Sequence, residues 1–439
     1  MIDPKSLIGK EGYFRVGKSS AGRWWLLRPD GRPILYRGVC ALWMPDDGSG
    51  SEAAAFRKNW EKANGPDAAE LVAHCQEILG ELGFNAFGEW ATPQFWNRGW
   101  PYTVLIHTRE VYPAATVNPP KHIDVFDPAW QQAYDARCRD ICTPLAHQKD
   151  LIGYFVDNES GWGQARKDFV WGGDHGPLID KNVLGEEPLL LQCFLALEEN
   201  RPGHKAAWDF VLHRHGNSVA QVAKDWGADF ASPAQLREHH AKGLALASPG
   251  FGIDQDAFTT YFTQEYFRIT SECIRRYDPN HLMLGCRHGG PPGDVVLKAY
   301  DRRHVDVLSF NNYRPNFHER IEEYYKVAPM PMLNTEFSWV GGSFLDWQKL
   351  IVGESFTPEE RAQVRTLAVV ALEGAFTHPA LIGYTWYKFC TRFPSAADPA
   401  YGLLNPMGER NHFNEELLKR IHPRLEAIAM GQLLPDSSG

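Results

Sequence analysis

The sequence predicts an α/β fold: a (β/α)8 TIM barrel with a long insertion after its fourth strand. Three observations support this. Eight short apolar runs recur along the chain, helical segments with capping signals separate most of them, and each run closes on polar or aromatic residues. In barrel enzymes the C-terminal ends of the strands converge on one face, where the chemistry sits. No glycine-rich phosphate loop follows any run, which argues against a doubly wound nucleotide-binding sheet.

The elements follow in order. Residues 22–38, GRWWLLRPDGRPILYRG, place a Pro-Asp-Gly turn between two apolar runs and predict a hairpin leading into a first strand at 32–43. A helix is expected at 67–82, with Asp67 as cap and Glu70 three residues on. FNAFGEW (84–90) and YTVLIHT (102–108) are the second and third strands. Asp127-Pro128 opens another helix with a cap and a first-turn proline. LIGYFVDNE (151–159), HLMLGCRH (281–288), VDVLSFNNY (305–313), MPMLNTEF (330–337) and LIGYTWYKF (381–389) complete the eight. Thr357, Pro358 and Glu360 form a capping box ahead of the last strand. The Leu-Ile-Gly-Tyr tetrapeptide at 151–154 and 381–384 falls on even-numbered strands, which share interior layers, so its recurrence is expected to reflect packing. Residues 160–256 are far too long for an ordinary βα loop. They hold Gly-rich GGDHG at 172–176, helical patches at 187–200 and 204–214, and a His-Gly-Asn turn at 215–217, and are read as an insertion over the active face. The chain is thus expected to be a single catalytic domain over 1–434 with a frayed tail at 435–439.

Bulk properties narrow the function. With 44% apolar and 23% charged residues, the 439-residue chain can bury a large core, and its net charge of −9 offers no cationic face for nucleic acid. No run of 18 apolar residues spans a membrane. The opening MIDPKSLIGKEG lacks a basic-then-apolar leader pattern, giving an expected cytoplasmic location. The eight cysteines form no CxxC pair and are expected as free thiols; Cys138 and Cys142 share one helical face. Asn158-Glu159-Ser160 is taken as a chance sequon. The paired His239-His240 and the His213/His215 pair read as solvated, and no HExxH or strand-end HxH is present, so no metal or other cofactor is expected. The 15 tryptophans and 16 tyrosines suit both a large core and sugar-stacking platforms.

Cleaving a glycosidic bond needs two carboxyl groups astride it. Glu159, after Asn158, and Glu336, after Thr335, each close a strand-like run, the fourth and the seventh. This pattern resembles clan A glycoside hydrolases. LGCRH (284–288), SFNNY (309–313), the Glu336 and Trp386 strands and the hairpin-plus-RGV entry at 23–39 resemble the catalytic domain of the agarase-type glycoside hydrolase family 50. The resemblance covers about residues 20–425. It implies Glu159 as acid/base, Glu336 as nucleophile and Asn158 as the contact to the sugar 2-hydroxyl. Tyr313 is then placed to orient Glu336, and Trp386 to lie under the sugar. His107, Glu89, Trp90, Arg287, His288 and Asn312 are further strand-end candidates for hydroxyl binding, with Trp43, Trp162, Trp171 and Trp339 as aromatic platforms. Members of that family usually carry an N-terminal β-sandwich and are secreted. This sequence shows neither feature, which moves the expected substrate from a polymer to a short, neutral, β-linked galactose-type oligosaccharide cut from its end. Arg287 and Arg314 are the residues that would instead take a sulfate or uronate. A transglycosylase and a non-catalytic carbohydrate-binding barrel remain the alternatives, whereas an amidohydrolase-type metal site would require a strand-one HxH where Arg37-Gly38-Val39 stands.

Overall fold

The structure, a computed structural model, describes residues 1–42, 52–117, 122–162, 189–241, 248–340, 344, 349 and 353–432. Trp43, Trp171, the Gly-rich 172–176, the start of the 187–200 helical patch, the side chains of His239 and His240, and the 435–439 tail lie outside the described residues.

The chain enters through a small antiparallel sheet of Arg15–Lys18, Trp24–Leu27 and Pro33–Ile34. The hairpin read at Pro29-Asp30-Gly31 forms there: Arg28 N donates to Arg32 O at 2.9 Å and Gly31 takes φ +85°, a conformation glycine adopts without steric cost. Eight parallel strands follow: β1 (Tyr36–Val39), β2 (Ala86–Phe87), β3 (Tyr102–Ile106), β4 (Leu151–Val156), β5 (Leu282–Met283), β6 (Leu308–Asn311), β7 (Met332–Phe337) and β8 (Leu381–Trp386). They make one sheet in the order β5-β4-β3-β2-β1-β8-β7-β6. The sheet curls until its terminal strands meet. Beyond Met283 a parallel bridge pairs His288 with Phe310, His288 N donating to Ser309 O at 3.1 Å and Asn311 N to His288 O at 2.7 Å. Gly285, at φ +81°, bends β5 into that seam.

Strands β4, β7 and β8 are buried at every residue, which is why they read as continuous apolar runs rather than alternating ones. The repeated Leu-Ile-Gly-Tyr has a packing cause. A Cβ on Gly153 would lie 2.1 Å from Leu282 O, and one on Gly383 2.2 Å from Tyr36 O, so both sites demand glycine where neighbouring strands close in.

Helices separate most of the strands, although between β2 and β3 there is only the 3-10 turn Pro93–Phe95. Asp67 caps Ala68–Glu81 by accepting from Ala69 N and Glu70 N, and Asp127 caps Pro128–Cys142. Thr357 and Glu360 form the reciprocal capping box of Pro358–Thr377. Between β4 and β5 lie helices Leu190–Leu195, Pro202–Arg214, Val219–Trp226 and Pro233–Ala241, then a 29-residue helix, Pro249–Tyr277. This long helix starts before Asp256 and packs along Pro128–Cys142. The helix Glu52–Asn64, which the sequence patterning did not single out, buries Ala53, Ala54 and Phe56. All eight cysteines are free. No helix among the described residues is long and apolar enough to cross a membrane.

Candidate active site

The polar residues that close the strands gather at one end of the sheet. The local backbone there is unusual. Of the non-glycine residues with positive φ, Ala41, Trp90, Asp157, Glu159 and Arg287 all lie just beyond β1, β2, β4 or β5. Each such residue costs on the order of 1–3 kcal/mol and persists only where its surroundings enforce it. Asp157 shows the enforcement. Its buried carboxylate accepts from Thr108 N at 2.7 Å, from the Thr108 hydroxyl, and from the Tyr266 hydroxyl of the long helix at 2.9 Å. The turn presenting Asn158 and Glu159 is thereby tied to β3 and to Pro249–Tyr277.

Arg287 organises the centre. It is fully buried, and its Nη1 donates to Asn158 Oδ1 at 2.7 Å. Its Nη2 donates to Glu336 Oε1 at 2.9 Å and to Thr335 O at 3.1 Å, and lies 3.6 Å from Glu89 Oε2. The guanidinium stacks on Trp90 at 4.4 Å from the ring centroid. Glu336 is held from its other side by Tyr313, whose hydroxyl donates to Oε2 at 2.6 Å. Burial first, then the Glu336 charge, pushes the Tyr313 phenol well above its ordinary range, so it stays a proton donor.

Glu159 stands half-buried across from this pair. Asn311 Nδ2 donates to Glu159 Oε1 at 2.8 Å and to Asn158 Oδ1 at 3.1 Å, while Asn311 Oδ1 accepts from the Thr335 hydroxyl at 2.7 Å. A single chain of hydrogen bonds therefore runs from Glu159 through Asn311, Asn158 and Arg287 to Glu336 and Tyr313. The structure thus brings together Asn158, Glu159, Arg287, Tyr313 and Glu336, as well as Glu89 beneath Arg287.

Several other candidates lie elsewhere. Trp386 is 0% exposed; its indole N–H donates to Tyr401 O at 2.8 Å and its ring meets Trp339 edge-on at 4.5 Å. It is therefore a core residue, not a platform open to the cleft. Trp339 is equally buried and donates to Asn414 Oδ1 at 2.8 Å. Trp162 packs among His122, Tyr266 and Phe267. His288 is buried behind the seam and burial lowers its pKa to about 3. The Trp162 indole can only donate, at 3.1 Å to Nδ1, so Nε2 carries the proton and donates to Tyr300 Oη at 2.7 Å. Asn312 turns away, its Oδ1 accepting from Arg314 N at 2.9 Å. His107 is part-exposed, 4.0 Å from Glu110. Glu89 and Arg287 are both fully buried, 3.6 Å from each other, so neither is exposed to an incoming hydroxyl, sulfate or uronate.

Two residues were missed. Asn311 was passed over for Asn312, although strand alternation puts 311 and 313 on one face and 312 on the other. Tyr387, one residue beyond Trp386, is the part-exposed aromatic of β8 and meets Tyr313 and Tyr401 edge-on at 6.2 and 5.8 Å. Its phenol is raised by burial, then by the Glu336 carboxylate and, further down, by Glu159. Among the described residues no group of three or more His, Cys, Asp or Glu is arranged to hold a metal ion.

With this geometry in place, the comparisons are informative. No family model matches the chain. β-Agarase B of Vibrio sp. (strain JT0107) is 24% identical over 324 residues, covering 70% of this chain and 31% of that protein. β-Agarase A of the same strain is 25% identical over 248 residues, covering 54% of this chain and 23% of its own length. The chain is thus similar in sequence to two β-agarases. It spans less than a third of the length of either one. Among solved structures, an exo-β-agarase superposes with a TM-score of 0.74 at 16% identity, covering 97% of this chain and 67% of its own. A cold-adapted β-galactosidase from Rahnella sp. R3 gives 0.52 at 13% identity, covering 90% and 56%. These likenesses show a shared fold of mixed α/β type around the curled parallel sheet.

Proposed function

We propose that the chain is a retaining β-glycoside hydrolase on a (β/α)8 barrel of clan A type, with Glu336 as nucleophile and Glu159 as acid/base. The observation that carries this is the hydrogen-bonded chain joining the two carboxyl groups through Asn311, Asn158 and Arg287. In the first step Glu336 attacks the anomeric carbon while Glu159 gives its proton to the leaving oxygen, forming a glycosyl ester on Glu336. In the second, Glu159 takes a proton from water, which attacks the anomeric carbon and releases Glu336. Arg287 holds one oxygen of Glu336 and Tyr313 the other, which orients the carboxylate for that attack. Asn158 is placed for the sugar 2-hydroxyl, and Tyr387 rather than Trp386 supplies the aromatic face beside it.

The proposed substrate is a short, neutral, β-linked galactose-type oligosaccharide cleaved from its end. The kinship to β-agarases supports the sugar type. The burial of Arg287 and the engagement of its Nη1 and Nη2 by Asn158, Thr335 and Glu336 support neutrality. The helices between β4 and β5 are proposed to close one end of the cleft. The test is proton NMR of p-nitrophenyl β-galactoside hydrolysis, watching the anomeric signal formed first. Retention requires β-galactose first, with the α-anomer appearing only by mutarotation. The α-anomer first would show inversion and sink the double displacement.

A further inference from the structure

Glu89 has no part in the steps above, yet it is a fully buried carboxylate at the end of β2, against the same guanidinium that holds Glu336. Two side chains donate to it, and a cation stands within ion-pair range. Cys40 Sγ donates to Oε2 at 3.2 Å, the Thr103 hydroxyl to Oε1 at 3.5 Å, and Arg287 Nη2 stands 3.6 Å from Oε2. One guanidinium nitrogen therefore faces two carboxyl groups, hydrogen-bonded to Glu336 Oε1 and within ion-pair range of Glu89 Oε2.

A cation given wholly to Glu336 would hold that carboxylate's negative charge tightly and blunt its attack on carbon. A cation shared with a second anion holds it less tightly. We propose that Glu89 is a positioning residue that shares Arg287 with Glu336 and so keeps the Glu336 carboxylate basic enough to act as a nucleophile. This rests on the role given to Glu336 under the proposed function. Among the described residues, Tyr313, Tyr387, Tyr401 and Cys40 also face the Glu336 charge, and Arg287 is the cation hydrogen-bonded to it.

The experiment is a carboxyl 13C titration of full-length protein carrying 13Cδ-glutamate, with Glu336 assigned by the resonance lost in Glu336→Gln. Glu89→Gln preserves shape and removes the charge. Two charges bridged by one nitrogen interact enough, at an effective dielectric of about 20, to move a titration midpoint by about one to two pH units. The Glu336 midpoint is expected to fall by that amount in Glu89→Gln, and the acid limb of kcat/KM on p-nitrophenyl β-galactoside to move with it. A midpoint that stays or rises overturns the proposal. A midpoint that falls while the acid limb stays still supports the sharing of Arg287, but removes Glu336 from the nucleophile's role. Should Glu89→Gln fail to fold, Glu89→Asp draws the charge back by one methylene; its midpoint should fall by a smaller amount, and no fall again overturns the proposal.

Discussion

Removing the Tyr313 hydroxyl probes the Glu336 site with the least disturbance. Tyr313→Phe deletes one oxygen, 2.6 Å from Glu336 Oε2, and leaves the ring among Tyr387 and Tyr401. Hydrogen bonds to charged groups contribute about 1.5–3 kcal/mol, and short charge-assisted ones lie at the upper end. Since Arg287 still holds Oε1 at 2.9 Å, the carboxylate keeps its place but not its orientation. If that orientation is needed in the transition state, kcat/KM falls by roughly 10- to 150-fold. Steady-state kinetics on p-nitrophenyl β-galactoside beside thermal unfolding separate the effect from damage to the fold, which should be about 1 kcal/mol or less. Activity within twofold of the parent, or a loss that merely tracks unfolding, would refute the reasoning.

Other outcomes follow from the same contacts. Tyr387→Ala should raise KM with little change in Tm, whereas Trp386→Ala should cost about 3–5 kcal/mol of stability by opening a core cavity, as denaturant melts would show. His215 lies between Asp225 and Asp254, 2.7 Å from each; burial opposes its protonation, but these two hydrogen bonds hold its pKa above the ordinary value. A raised histidine pKa stabilises below the unfolded value of about 6.5 and is lost as pH rises through the folded one, so His215→Gln should lower Tm at pH 5.5 and converge with the parent in alkali. A Tm difference that does not change with pH would remove this role. In a crystal structure with a bound sugar, the Glu159 and Glu336 carboxyl groups should lie about 5–5.5 Å apart; a gap beyond about 6.5 Å belongs to inversion.

Much of this was legible in the sequence for identifiable reasons. Caps at Asp67, Asp127 and Thr357 are local chemistry, and all three form. The β4, β7 and β8 runs are apolar because both faces are covered. The site was harder to read because strand-end residues face inward or outward by alternation, and irregularities such as the register shift between Phe310 and Asn311 reset the count. Asn311 and Asn312 differ only in that parity. Arg287 looked like an anion receptor by residue type, but the sequence could not show Glu89, Asn158 and Glu336 already occupying it. Trp386 looked like a platform by position, and only the packing of Trp339 and Tyr401 reveals it as core.

In the proposed double displacement Glu336 becomes esterified during turnover. Incubation with 2-deoxy-2-fluoro-β-galactosyl fluoride followed by peptide mass spectrometry tests it directly. The double displacement requires time-dependent inactivation and one fluorogalactosyl adduct, on the peptide containing Glu336 and absent from Glu336→Gln. An adduct on Glu159 instead, or continued turnover of p-nitrophenyl β-galactoside with Glu336 replaced by glutamine, would contradict it.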